Sequence, residues 1–123
     1  MKQALLVFVG GGFGSVARYL LGKWLNTVER AIPYGTLMAN VLGSLLIGLI
    51  LGYLVKTANV SESHSLLLAT GFCGGFTTFS AFAYENHLFL KNGDYLNLLF
   101  YLIGSLVLGI SAVFLGLYLS KFI

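Results

Sequence analysis

The chain has 123 residues, 58% apolar and 9% charged, where soluble domains carry about 25% charged residues. That balance excludes a water-soluble enzyme or a nucleic-acid-binding domain: the net charge of +3 belongs to loops and termini, and no basic run is interleaved with aromatics. At about 20 residues per crossing, the length holds four membrane spans and leaves no room for an extramembrane domain. Cys73 is the one cysteine, so no intrachain disulfide can form, and among small residues it reads as packing.

The first span is expected over about Ala4–Leu25. Lys2, the apolar run and Ser15-Val16-Ala17 mimic a signal peptide, but the apolar pattern resumes at Tyr19 and outlasts that cut. Gly10 to Gly14 resembles a dinucleotide loop only faintly, since no strand precedes it; glycines allowing close helix contact are the simpler reading. Arg18 is the informative residue. A charge near a helix centre costs about 3 kcal/mol on insertion scales. Arg18 either snorkels toward the Trp24 end or attracts an anion near a pore mouth; both readings stay open.

Asn26–Pro33 forms the first loop, with Glu29 and Arg30, and Pro33 can open the second span, about Tyr34–Val55. Gly48 and Gly52 form a GxxxG pair, and with Gly43-Ser44 they make a helix-contact face. Thr36 and Asn40 share one face. A buried amide needs a partner, so Asn40 either bridges helices or presents its NH2 to an anion. Lys56–Ser63 is a short polar loop in which Ser61 or Ser63 can cap the third helix. His64 and His87 lack partners at metal-ligand spacing, and no carboxylate is placed to orient either for catalysis.

The third span, about Leu66–Leu90, contains ATGFCGGFTTFSAFAYE from Ala69 to Glu85. Each glycine costs about 1 kcal/mol against alanine in a helix interior. Gly74-Gly75 followed by Thr77-Thr78 therefore predicts a helix that breaks near Gly74–Thr78. Hydrocarbon cannot satisfy the freed backbone groups, so a break points to an ion site; a close helix crossing is the other reading. Phe79 and Phe82 share a face that Glu85 continues. Such spacing usually means packing, but beside Thr77, Thr78 and Ser80 two positively polarised ring edges could border an anion route without gripping the anion.

Lys91–Tyr95, KNGDY, is a turn. The fourth span is expected over about Leu96–Phe122, with Tyr101 and Ser105 on one face and small contact surface at Gly104, Gly109 and Gly116. Tyr101 fits either an interfacial aromatic belt or a pore lining. With four spans, Lys2, Lys56 and Lys121 fall on the N-terminal side, and Lys23, Arg30 and Lys91 on the other, with Arg18 inside the first span toward it. The positive-inside rule then gives no orientation, and the chain is expected to insert both ways and pair antiparallel about an in-plane two-fold axis.

GGFGSVARY in the first span, GTLMANVLGS in the second and GFCGGFTTFSAFAYE in the third resemble the Fluc fluoride channel family, also called CrcB proteins. The resemblance covers essentially the whole chain. It implies an all-α membrane protein: a single four-helix transmembrane domain over residues 1–123, a broken third helix, and an antiparallel dual-topology homodimer in a bacterial inner (plasma) membrane. The implied function is export of fluoride by passive electrodiffusion through two pores per dimer, limiting cytoplasmic toxicity, with no enzyme chemistry. A structural sodium ion at the dimer centre would be held by the backbone carbonyls of Gly74 and Thr77. Asn40, Phe79, Phe82, Tyr101, Ser105, Ser80 and Thr36 would border the anion pathway. Arg18 and Glu85 would be charges near its ends. Some members carry a further fourth-helix hydroxyl one turn after Ser105; here that position is Gly109, and Ser111 faces elsewhere. Fluoride is small and tightly hydrated, and neutral donors such as Asn40, Tyr101, Ser105 and Ser80 can replace its water. Selectivity over chloride is implied by the resemblance alone. Two rival readings are a proton-coupled small transporter, which wants a titratable group in the membrane interior, and an assembly subunit without flux of its own.

Overall fold

A computed structural model describes residues 1–57 and 61–123. Among them, four helical segments are long and apolar enough to cross a membrane. Helix α1 is Lys2–Leu25 and α2 is Tyr34–Lys56, which follows Pro33 as the proline's missing N–H allows. The third crossing is divided. Helix α3 covers residues 62–76, and its middle stretch, Ser65–Cys73, is wound as a wider π-helix that ends with the Gly74 N–H on the Ala69 carbonyl. Thr77 is extended (φ −85°, ψ 157°), and α4 runs Ser80–Lys91. Helix α5 is Tyr95–Leu119, continued by a tight turn at Ser120–Phe122. The expected Lys56–Ser63 loop is narrower, since Glu62 and Ser63 are already helical; its residues Ala58, Asn59 and Val60 lie outside those described. Ser61 stands at the start of α3, but its hydroxyl meets His64 Nδ1 at 2.7 Å instead of an end N–H. Gly93, at φ +70°, makes the turn before α5, and the Asp94 carboxylate accepts the Asn97 N–H.

The helices approach where side chains are smallest. In α1, Gly10 and Gly14 are buried against the backbone of α3 at Leu67, Phe72 and Phe76. In α2, Gly48 meets α5 at Gly116, so the expected contact face is used there. Outward-facing Phe8, Phe13, Leu106 and Phe114 fit a hydrocarbon solvent. One closed apolar cluster is formed by Phe82, Phe89 and Tyr101, backed by Ile32, Leu37, Leu98 and Leu102.

The break differs from the sequence expectation in its cause. Gly74 and Gly75 remain helical, and the chain leaves the helix at Thr77. Gly75 serves contact: a Cβ there would overlap the Gly11 carbonyl of α1. A low helix propensity marked the neighbourhood, but Gly75 is there for the crossing, and the turn out of the helix comes one residue after Phe76.

Candidate functional site

Ending a helix inside a membrane leaves carbonyls at the end of α3 and N–H groups at the start of α4 without helical partners. Asn40, on α2, takes two of the groups between them. Its Oδ1 accepts the Thr78 N–H at 2.7 Å and its Nδ2 donates to the Thr78 carbonyl at 3.0 Å. Of the two expectations for this amide, the helix bridge is present, and one hydrogen of its NH2 remains for another acceptor. Thr78 Oγ1 accepts the Ala81 N–H at 3.2 Å, which caps α4, and lies 3.2 Å from the Ser80 hydroxyl. Arg18 reaches across from α1 and donates through Nε to the Gly75 carbonyl at 3.2 Å. It thus neither snorkels freely nor stands apart: its charge sits at the negative end of α3. The carbonyls of Gly74 and Thr77 accept no hydrogen bond among the described residues, and Gly74 opens on space.

A cavity of about 590 Å³ lies along the break, bordered by Asn40, Thr77, Thr78, Phe79, Phe82 and Ser105. Phe79 is 78% exposed and Phe82 8%, with ring centroids 6.0 Å apart. The Ser105 hydroxyl is buried and has no partner among the described residues. Phe82 stacks at an angle on Tyr101, centroids 5.1 Å apart. Tyr101 is 2% exposed, so it belongs to the interior and not to an interfacial belt. Its hydroxyl donates to Glu85 Oε1 at 2.7 Å, and Thr36 donates to Oε2 at 2.7 Å. Glu85 in turn borders a second cavity of about 380 Å³, with Asn26, Thr27, Arg30 and Asn92 around it. Phe82 borders the first cavity and Glu85 the second, and Tyr101 touches both side chains.

Two participants were not read as part of the site from the sequence, where Ser44 stood only in a helix-contact face and Asn26 only in a loop. Ser44 borders the first cavity and donates to the Asn40 carbonyl at 2.6 Å; its hydroxyl lies 3.7 Å from where a Cβ on Gly109 would stand, beside the position noted as lacking a hydroxyl. Its place one turn after Asn40 was the available signal. Asn26, in the first loop, contacts Thr36 and Gly35, and nothing in its local spacing announces this. Among the described residues there is no cluster of three His, Cys, Asp or Glu side chains fit for a metal, so a cation here would rest on main-chain oxygens.

These features define a multi-pass integral membrane protein with an interrupted third crossing and a polar string through its interior. The sequence model of the family described as "CrcB-like protein, Camphor Resistance (CrcB)" matches residues 5–117. A protein of Gloeothece citriformis named fluoride-specific ion channel FluC is 51% identical, over 98% of each chain. Relatives of the same name from Chlorobium chlorochromatii (47% identical, 92% of this chain and 88% of the relative) and Pyrococcus furiosus (41%, 98% of each) also match. The chain belongs to the CrcB family, whose members are ion channels and not enzymes.

Proposed function

We propose that the protein is a fluoride-selective channel that lets fluoride leave the cell by passive electrodiffusion. Two copies insert in opposite orientations into a bacterial inner (plasma) membrane and form a dimer with two pores. The observation that carries this reading is the Ser105 hydroxyl, buried and without a partner among the described residues, on a residue that borders the same cavity as Asn40, Phe79 and Phe82. An unpaired hydroxyl in hydrocarbon is costly, and an anion that needs donors resolves the cost. From there the proposed route follows the Phe79 and Phe82 ring edges, then Tyr101 and Thr36 beside Glu85, and opens at the second cavity. Ser80 and the start of α4 add donors and the positive end of a helix. The Arg18 charge beside the break favours anions nearby. Among the described residues no lysine or arginine borders the first cavity, so the grip is weak enough for an ion to leave.

We also propose a sodium ion at the dimer centre. The Gly74 and Thr77 carbonyls fit one, because they are hard oxygen donors lacking other partners among the described residues. Bound there, sodium would supply fixed positive charge and link the two breaks.

Efflux from liposomes reconstituted with purified protein tests the channel. Fluoride should leave and chloride should be retained, with no obligatory proton movement. Absence of fluoride efflux would reject the reading, and efflux only with stoichiometric proton movement would replace the channel with an exchanger.

A further inference from the structure

We propose that Asn26 is a positioning residue for the anion route: it fixes the direction of the Thr36 hydroxyl and, through it, the Glu85 carboxylate. The inference rests on the reading that Glu85 borders that route. Asn26 follows the last turn of α1, and its Oδ1 accepts the N–H groups of Gly35 at 2.7 Å and Thr36 at 3.4 Å, at the start of α2. A main-chain N–H can only donate. That settles which end of the amide is oxygen and leaves the NH2 for Thr36 Oγ1, 3.2 Å away. A threonine hydroxyl has one hydrogen. With Asn26 donating to it, that hydrogen is directed to Glu85 Oε2 at 2.7 Å, while Tyr101 holds Oε1 at 2.7 Å.

The approach depends on Gly35, where a Cβ would stand 2.7 Å from Gly22 Cα and 2.8 Å from Asn26 Oδ1. Glu85 is thus clasped from α2 and α5, and the α2 clasp is set by a side chain outside every helix. Held on both oxygens, the carboxylate keeps its charge against its donors. Released on one, it is free to swing into the route, where its charge opposes a passing anion.

Asn26→Asp separates orientation from folding. The aspartate is nearly isosteric, still accepts the Gly35 N–H and suits a helix start, but it cannot donate to Thr36, whose hydrogen is then contested between two carboxylates. The variant should elute and melt like the native protein while fluoride efflux falls roughly tenfold, the scale of one lost charge-assisted hydrogen bond. Thr36→Val should show a similar fall, and the double variant no further loss, because both remove the same donation. Native efflux in Asn26→Asp, or losses that multiply, overturns the proposal. If the aspartate variant does not fold, Asn26→Ser takes its place; failure of both to fold assigns Asn26 to the fold alone and equally overturns it. If the native protein passes no fluoride, the channel reading is what fails. The infrared carboxylate band of Glu85, assigned by its loss in Glu85→Gln, then decides: a shift in Asn26→Asp upholds the inference and an unmoved band ends it.

Discussion

Asn40 shows how one side chain can make an interrupted membrane helix tolerable. Its amide matches a donor and an acceptor on the same residue, Thr78, where hydrocarbon offers neither. Asn40→Asp exchanges the donor for a second oxygen facing the Thr78 carbonyl and adds charge beside the route. Like charges 4 Å apart repel by about 4 kcal/mol at an effective dielectric near 20, and each 1.4 kcal/mol is about tenfold in rate. Fluoride efflux should fall by two or more orders of magnitude; normal efflux would remove Asn40 from the pathway. The phenylalanines separate differently. Phe82 is packed on Tyr101, whereas Phe79 is 78% exposed within the protomer. Both Phe79→Ile and Phe82→Ile should slow fluoride by removing a ring edge, but in thermal unfolding only Phe82→Ile should lower protomer stability, by about 1–3 kcal/mol. Normal conduction in both would refute the ring-edge role.

At the scale of elements, the division of the third crossing into α3 and α4 creates two helix ends of opposite polarity where one helix would have none. Arg18 answers the end of α3 and Thr78 caps α4. The four crossings were legible in the sequence because length and apolarity are local properties, and so was an interruption within the third. Its residues were less legible. Gly74-Gly75 signals weak helix propensity, yet both are helical, and at Gly75 α1 passes so close that no side chain fits. The partner of Asn40 is 38 residues away and that of Thr36 49 residues away; helical spacing identified their face but not what they meet. Asn26 was invisible because a loop has no period. The close approach at Gly75 is open to test by substitution. A Cβ on Gly75 would stand 2.9 Å from Gly11 Cα, and one on Gly12 meets nothing within 4 Å. Gly75→Ala should destabilise by about 1–3 kcal/mol, and Gly12→Ala should be neutral or stabilising by up to about 1 kcal/mol. Equal melting temperatures for the two would show that α1 and α3 can separate without cost.

At the scale of the whole chain, polar groups of the break lie at an exposed face. Its first cavity opens outward, Phe79 and Gly74 are exposed, and the Gly74 and Thr77 carbonyls lack donors among the described residues. Facing lipid, those groups would be unsatisfied; in the proposed dimer they would face the same surface of a second copy across a two-fold axis. The charges allow the second copy to be inverted. Lys56 Nζ donates to the Lys121 carbonyl at 3.1 Å, which places two of the N-terminal-side lysines at one end, while Arg30 and Asn92, the latter next to Lys91, border the cavity at the other. Lys2, Lys56 and Lys121 thus stand against Lys23, Arg30 and Lys91, or against four with Arg18 counted, and orientation follows the bias in such counts. A reporter fused after Ile123 should be found on both sides of the membrane. Adding three lysines to the N-terminus should drive it to one side and abolish fluoride efflux, because a single orientation cannot form the inverted pair. Co-expression with a copy biased the opposite way should restore efflux. A native reporter found on one side only, or full efflux from the locked copy alone, would exclude the antiparallel assembly.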